Sequence, residues 1–244
     1  MSVGAPFYPV GQHWGIDLPG ARAVFTTRRG GASPPPYDSL NLGALTDDDP
    51  AAVAANRSAI AAQLGVSPSY TRQVHGPRVL RVGEPLPVDG PPEADGQAAA
   101  VAGVAPAVLV ADCLPVVIAG QGAVAAVHAG WRGLAQGVLS EGVSAVRELG
   151  GTGPLAAAIG PGAGPCCYEA GDEVHAAFAH HGPLARARRN ADLKSIARAE
   201  LAAAGVEVVY DLGICTICAD PQLLYSHRRD HGITGRQAGI AWLS

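Results

Sequence analysis

The chain has 244 residues, 48% hydrophobic and only 5% aromatic, with a formal net charge of −4 and an isoelectric point near 6.0. This composition supports a sizeable core built mainly of Ala, Val, Leu and Ile, and it excludes a nucleic-acid groove or an anionic membrane surface as the main partner. Five cysteines, an odd number in a chain of this length, do not form a disulfide framework. With no basic segment followed by an apolar run at the N-terminus, and Gly103 and Pro106 interrupting the most apolar span at 98–111, the expectation is a cytoplasmic protein without a membrane span.

Residues 1–20 are rich in Pro and Gly and read as a surface segment. Residues 21–28 suit a strand, with Val24, Phe25 and Thr26 at its centre. A long loop follows over 28–43, with Arg28, Arg29, a Gly pair and three consecutive prolines; loops of this length in compact domains often bind ligands. Asp49 and Pro50 open a helix that Gly65 closes, so the first helix is expected over 50–64. Residues 70–75 and 78–82 read as strand pieces around Gly76-Pro77, leaving His75 at a strand end. A turn at Ala94-Asp-Gly96 precedes a buried strand at 107–110, which delivers Asp112 and Cys113.

Two apolar runs, 115–119 and 123–127, flank Gly120-Gln-Gly122 and read as a hairpin. With the turn centred between Gly120 and Gln121, Cys113 falls opposite His128, about 4.5–5.5 Å away at Cβ. A one-residue slip would turn His128 to the other face. Residues 134–149 carry Leu139, Val143 and Val146 at helical spacing. A strand at 155–159, helices near 170–181 and 191–204, and strands at 206–210 and 237–243 complete the pattern. Strands and helices interleave without a strict βαβ rhythm, no repeat or linker divides the chain, and the expected fold is α/β (α+β): one domain over 1–244, with mixed sheets covered by helices.

His75, Cys113 and His128 each sit at a strand end beside Gly, Pro or a short turn. Three N/S donors with a fourth position open is the arrangement of catalytic zinc, and thiolate plus imidazole suits Zn²⁺ or copper. Cys113 and His128 could equally form a nucleophile–base pair, and spacing alone does not separate the two. Cys215-Thr-Ile-Cys218 lacks a second CxxC, and adjacent Cys166 and Cys167 are expected on alternate faces, so ordinary thiols are the expectation for all four. Arg28, Arg29, Arg132, Arg228, Arg229 and Arg236 fall in loop-like segments; several converging near a metal would imply an anionic substrate.

In order along the chain stand Thr27-Arg-Arg-Gly-Gly, Ser39-Leu-Asn-Leu-Gly43, Gln73-Val-His-Gly76, Ala111-Asp-Cys-Leu-Pro115, His128-Ala-Gly-Trp-Arg-Gly133, Ile159-Gly-Pro161, Cys167-Tyr-Glu169 and Thr234-Gly-Arg236. Together they resemble the family first called laccase-like multicopper polyphenol oxidoreductases and now described as zinc-dependent purine nucleoside phosphorylases. The specific signature is Ala-Asp-Cys with His-Ala-Gly-Trp-Arg-Gly starting fifteen residues after its Cys. The resemblance implies that His75, Cys113 and His128 hold Zn²⁺, with copper the alternative metal. It implies phosphorolysis of adenosine, inosine, guanosine and methylthioadenosine, adenosine deamination as a side activity, and an α/β sandwich shared with toxin cysteine deamidases.

Purine nucleoside and phosphate are then the expected partners of a monomeric enzyme. Arg28, Arg132 and Arg236 are the expected phosphate-binding residues and Asn41 a nucleoside contact, while Trp131-Arg132-Gly133 is expected to wall the open side of the metal. A polyphenol oxidase fits poorly, because eight histidines with no His-x-His pair cannot hold a multicopper cluster. The other readings are a cysteine amidase acting on peptidoglycan precursors, to whose editing some relatives are linked, with Cys113 as nucleophile and His128 as base, and a metal-binding partner protein of cell-wall assembly.

Overall fold

The computed structural model describes residues 6–244. It begins with an antiparallel meander, β1 (Tyr8–Val10), β2 (His13–Leu18) and β3 (Ala21–Phe25). Helix α1 (Pro50–Leu64) follows, then β4 (Ser67–Ser69), β5 (Val79–Val82), β6 (Gly96–Ala99) and β7 (Val104–Val110). The hairpin of β8 (Leu114–Gln121) and β9 (Ala123–Ala129) leads into α2 (Trp131–Ala135) and α3 (Val138–Glu148). Next come β10 (Thr152–Ile159), α4 (Asp172–Ala177), a 3₁₀ segment at Ala179–Ala185, and the short pair β11 (Arg186–Ala187) and β12 (Asn190–Ala191). Helix α5 (Leu193–Ala203), β13 (Val206–Asp211) and β14 (Gln237–Leu243) complete the chain.

The strands build two mixed six-stranded sheets, in the orders β1-β2-β3-β14-β7-β4 and β13-β10-β8-β9-β6-β5. Pairing is antiparallel except between β4 and β7, β5 and β6, and β10 and β13. The sheets pack face to face through Ile16, Ala23 and Phe25 on one side and Val117, Val124 and Ala158 on the other. The outer face of the second sheet is covered by α3 and α5, through Val143, Val146, Ile196 and Leu201. Ile60 of α1 packs with Ala107 and Ile240 of the first sheet. Since β8 and β9 are covered on both faces, they read as continuous apolar runs, not as alternation. A Cβ at Gly239 of β14 would lie 2.8 Å from Pro115 of β8, so this glycine permits close approach of the sheets.

Helix α1 forms at the expected residues, with the Asp49 side chain accepting from the Ala51 N–H and Gly65 at φ 67° as its C-cap. Four expectations are corrected. Residues 8–18 are paired strands with Trp14, Ile16 and Leu18 buried, so the segment read as a surface stretch over 1–20 joins the first sheet; residues 1–5 lie outside the described residues. The expected strand at 70–75 is β4, three residues earlier, followed by irregular chain. The helix expected over 134–149 is two helices, broken at Gly137 with φ 83°. The hairpin turns at Gln121-Gly122, with Gly122 at φ 88°, so Pro115 pairs with His128 and Cys113 lies two residues beyond the expected register. A two-residue shift preserves the face a side chain points to.

Among the described residues, no helix is long and apolar enough to cross a membrane.

Candidate functional site

Two crossings of the chain between the sheets converge on one point. Residues 111–113 carry the chain from β7 in the first sheet to β8 in the second, and residues 70–78 carry it from β4 to β5. Cys113 comes from the first crossing, His75 from the second, and His128 from β9 beside them. Their donor atoms lie within 4.8 Å of one another, with His75 Nε2 3.9 Å from Cys113 Sγ. The two imidazoles meet edge-on, their centroids 4.9 Å apart. Both crossings bend sharply: His75 has φ 61° and Asp112 φ 89°, left-handed conformations that cost a residue with a side chain of order 1–3 kcal/mol.

The conformation at His75 is held by Asp95, which is fully buried at the start of β6. Its carboxylate accepts three successive backbone N–H groups, from Val74 at 3.1 Å and from His75 and Gly76 at 2.8 Å. Its Oδ1 also lies 2.8 Å from His128 Nδ1. A carboxylate only accepts, so Nδ1 carries a proton and Nε2 is the nitrogen left to bind a metal, once any proton of its own is displaced. Asp112 is fixed in a similar way, its Oδ1 accepting from Thr216 Oγ1 at 2.6 Å and its Oδ2 from the Arg228 N–H at 2.7 Å.

Burial by itself would raise the Cys113 thiol, but the charge of His128 and hydrogen bonds from both histidines bring it down to about 6. Burial would lower His128, yet the Cys113 thiolate and the Asp95 carboxylate push it up to about 9. For Asp95, burial is outweighed by the bonds from His128 and the backbone N–H groups, which hold the carboxyl below its usual range. The donor set therefore favours a thiolate. A side chain at Gly130 would place a Cβ 3.0 Å from His75 Cδ2 and 3.1 Å from Cys113 Sγ, so a glycine keeps the space beside the donors clear. Two imidazoles and a thiolate, converging with one side open, fit a Zn²⁺ or copper ion.

The three donors border a cavity of about 920 Å³. Arg57, Arg72, Arg228 and Arg236 line it, with Leu45, Leu86 and Val88 supplying apolar wall. Tyr70 Oη and Thr71 Oγ1 on the same wall are buried and have no hydrogen-bond partner.

Of the residues expected to bind substrate, Arg236 lines this cavity. Asn41 lies behind it, its Oδ1 accepting from the N–H groups of Gly43 and Arg236. Arg28 is buried away from the cavity wall, bound to Asp38, Pro36 and Pro221 and stacked 4.4 Å from the Tyr225 ring centroid. Arg132 is exposed and stacks on Trp131 at 4.4 Å. Sequence reasoning missed Asp95, which stood there only as a turn residue. Its partners lie 20 and 33 positions away, and the one local signal is an acidic residue entering a buried strand before Gly96.

A further expectation is corrected. Cys166, Cys167, Cys215 and Cys218 are not scattered thiols: their sulfur atoms all lie within 4.8 Å of one another. Residues 164–168 form a turn, Cys167 N–H and Tyr168 N–H both donating to Gly164 O, so the alternation expected for extended chain does not apply.

A family model described as multi-copper polyphenol oxidoreductase laccase matches residues 22–244. Purine nucleoside phosphorylase PA4543 of Pseudomonas aeruginosa is 43% identical over 234 residues, covering 91% of this chain and 93% of that protein. Purine nucleoside phosphorylase YfiH of Escherichia coli is 40% identical over 240 residues, with 92% and 94% covered. The crystal structure of YlmD from Geobacillus stearothermophilus superposes with a TM-score of 0.85 at 34% identity, covering 92% of each chain.

Proposed function

Because the chain belongs to the multi-copper polyphenol oxidoreductase laccase family, we propose that it works as its named relatives do, as a purine nucleoside phosphorylase, with Zn²⁺ held by His75, Cys113 and His128. The observation that carries this reading is the convergence of that donor set with an arginine-bearing cavity. Two imidazoles and one thiolate are too few donors for a multicopper cluster, which disfavours polyphenol oxidation.

In phosphorolysis the bond from the ribose C1′ to the purine nitrogen breaks, a phosphate oxygen bonds to C1′, and the purine leaves with a proton. Arg236, with Arg228 and Arg72, supplies cationic forks for the phosphate. Leu45, Leu86 and Val88 supply apolar cover for the base. Asn41 positions Arg236 through its backbone, and Arg28 holds the 28–39 loop. Asp95 orients the His128 imidazole and holds the backbone at His75. The ion, when bound, supplies Lewis acidity beside a phosphate or ribose oxygen. The proposed substrates are adenosine, inosine, guanosine and methylthioadenosine, with adenosine deamination as a side activity of a monomeric, single-domain enzyme.

A specific observation also favours a second reading. Cys113, His128 and Asp95 form a thiolate–imidazolium pair with a carboxylate orienting the imidazole, the constellation of a cysteine hydrolase. Inosine cleavage with and without phosphate separates the two. The phosphorylase releases hypoxanthine only with phosphate, together with equimolar ribose 1-phosphate, and loses activity on zinc removal. A metal-free protein that cleaves amides, is inactivated by alkylation of Cys113 and leaves all four nucleosides intact would overturn it.

A further inference from the structure

Strands β10 and β13 are parallel neighbours, and the loops leaving their C-terminal ends run side by side: Gly162 N–H donates to Ile214 O at 3.3 Å and Thr216 N–H to Gly162 O at 3.1 Å. Each loop supplies two thiols. Cys166 and Cys218 sulfurs lie 3.6 Å apart, and all four sulfurs lie within 4.8 Å of one another. A tetrahedral ZnS₄ centre with Zn–S bonds of about 2.3 Å has S–S edges of about 3.8 Å. The cluster is close to that spacing and wider than the roughly 2.05 Å of a disulfide.

The backbone around Cys215 supports a thiolate ligand. Gly164 N–H reaches its sulfur at 3.2 Å, and the N–H groups of Ile217 and Cys218 are directed at it as well. N–H donors aimed at a sulfur favour the anionic form and orient it, as outer-shell partners do for metal ligands. Gly164 also leaves the cluster accessible, since a Cβ there would lie 3.1 Å from Cys215 Cβ and 3.3 Å from Cys166 Sγ. Two cationic side chains, each ion-paired to a carboxylate, also hold the same loop: Lys194 Nζ donates to Ile214 O and Arg229 to Thr216 O.

We propose that Cys166, Cys167, Cys215 and Cys218 form a second metal site, a closed structural centre for Zn²⁺, separate from the His75–Cys113–His128 donors. Binding replaces the thiol protons, releasing them to solvent. The site ties together two loops that shape the first one. Thr216 donates to Asp112 at 2.6 Å, and Tyr168, one residue past Cys167, lines the cavity under the Arg228 guanidinium. The metal thereby braces the cavity wall from behind.

The test is metal content of protein purified under reducing conditions without added metal. Wild type is expected to carry about two equivalents of zinc per chain, and Cys113→Ala about one. Adding Cys166→Ser and Cys218→Ser to Cys113→Ala is expected to remove the remaining one. Cys113→Ala loaded with Co²⁺ is expected to show thiolate-to-metal charge-transfer absorption, lost with the serine substitutions. Four results would each overturn the proposal: no zinc in Cys113→Ala, no Co²⁺ thiolate signal in Cys113→Ala, metal retained after the serine substitutions, or an intact mass showing a disulfide in the reduced preparation. The Cys113→Ala stoichiometry decides even where the serine-substituted chain fails to fold.

Discussion

Asp95→Asn keeps the side-chain shape and replaces one carboxylate oxygen with an NH₂ group, at a position where every neighbour is a donor. With the NH₂ in place of Oδ2, the N–H groups of Val74 and Gly76 lose their acceptor. With the NH₂ in place of Oδ1, the losers are His75 N–H and His128 Nδ1. His128 could then recover only by moving its proton to Nε2, the nitrogen that must stay free to bind metal. Each bond to a charged acceptor contributes about 1.5–3 kcal/mol, so either orientation costs roughly 3–6 kcal/mol. Against a total stability of about 5–15 kcal/mol that is a large fraction, and the variant should melt well below wild type. With the histidine orientation loosened, zinc affinity should fall about 10–100-fold. Chelator competition at a temperature where circular dichroism shows both proteins folded measures the second effect, and thermal melting the first. An Asp95→Asn protein with wild-type zinc affinity and wild-type melting would refute the account of Asp95 as the hub of the site.

Gly130→Ala brings a methyl group against His75 and Cys113 without straining the backbone, since φ is −74°; zinc affinity should drop about 10-fold or more while metal-free melting barely changes. Arg236→Ala should raise KM for phosphate about 10-fold or more in initial-rate assays, with the fold intact because Asn41 binds only the Arg236 backbone N–H. Glu200 sits 3.6 Å from His181, and burial pushes its carboxyl up to about 7. Its neutral form suits the fold, so the stability it contributes is fully present below its ordinary pKa of 4.5 and is lost as pH rises through about 7. Glu200→Gln should therefore gain about 1–2 kcal/mol over wild type in urea melts at pH 8 and close to nothing at pH 4; equal gains at both pH values would refute the assignment.

What sequence could show was local. Helix α1 announced itself through Asp49-Pro50 and Gly65, and β14 through an unbroken apolar run, so both appear at the expected residues. The hairpin was legible but its register was not, because Gly120 and Gly122 both offer a turn and only the second takes the left-handed conformation. The error was harmless for the site: a shift of two residues leaves Cys113 and His128 on the same face. The contact between loops 164–168 and 215–218 was hidden for a different reason. It follows from the parallel pairing of β10 with β13, a long-range pairing that no spacing within either loop encodes.

The position of the site follows from the same topology. Of the passages of the chain between the two sheets, the two that meet at the site each turn sharply, and in each a residue with a side chain takes up positive φ: Asp112 before Cys113, and His75 itself. Left alone, those conformations would relax. They persist because buried acceptors saturate the backbone around them, with Asp95 taking three successive N–H groups and Asp112 anchored to Thr216 and Arg228. Each carboxylate therefore has a structural duty at a crossing, and Asp95 has the further one of fixing the His128 tautomer. The donors of the proposed metal site thus belong to a tightly held part of the backbone, at two of the places where the chain passes between the sheets. Asp95 holds the backbone at His75 and the imidazole of His128 through protein contacts, and removing the ion should leave these two close to where they stand.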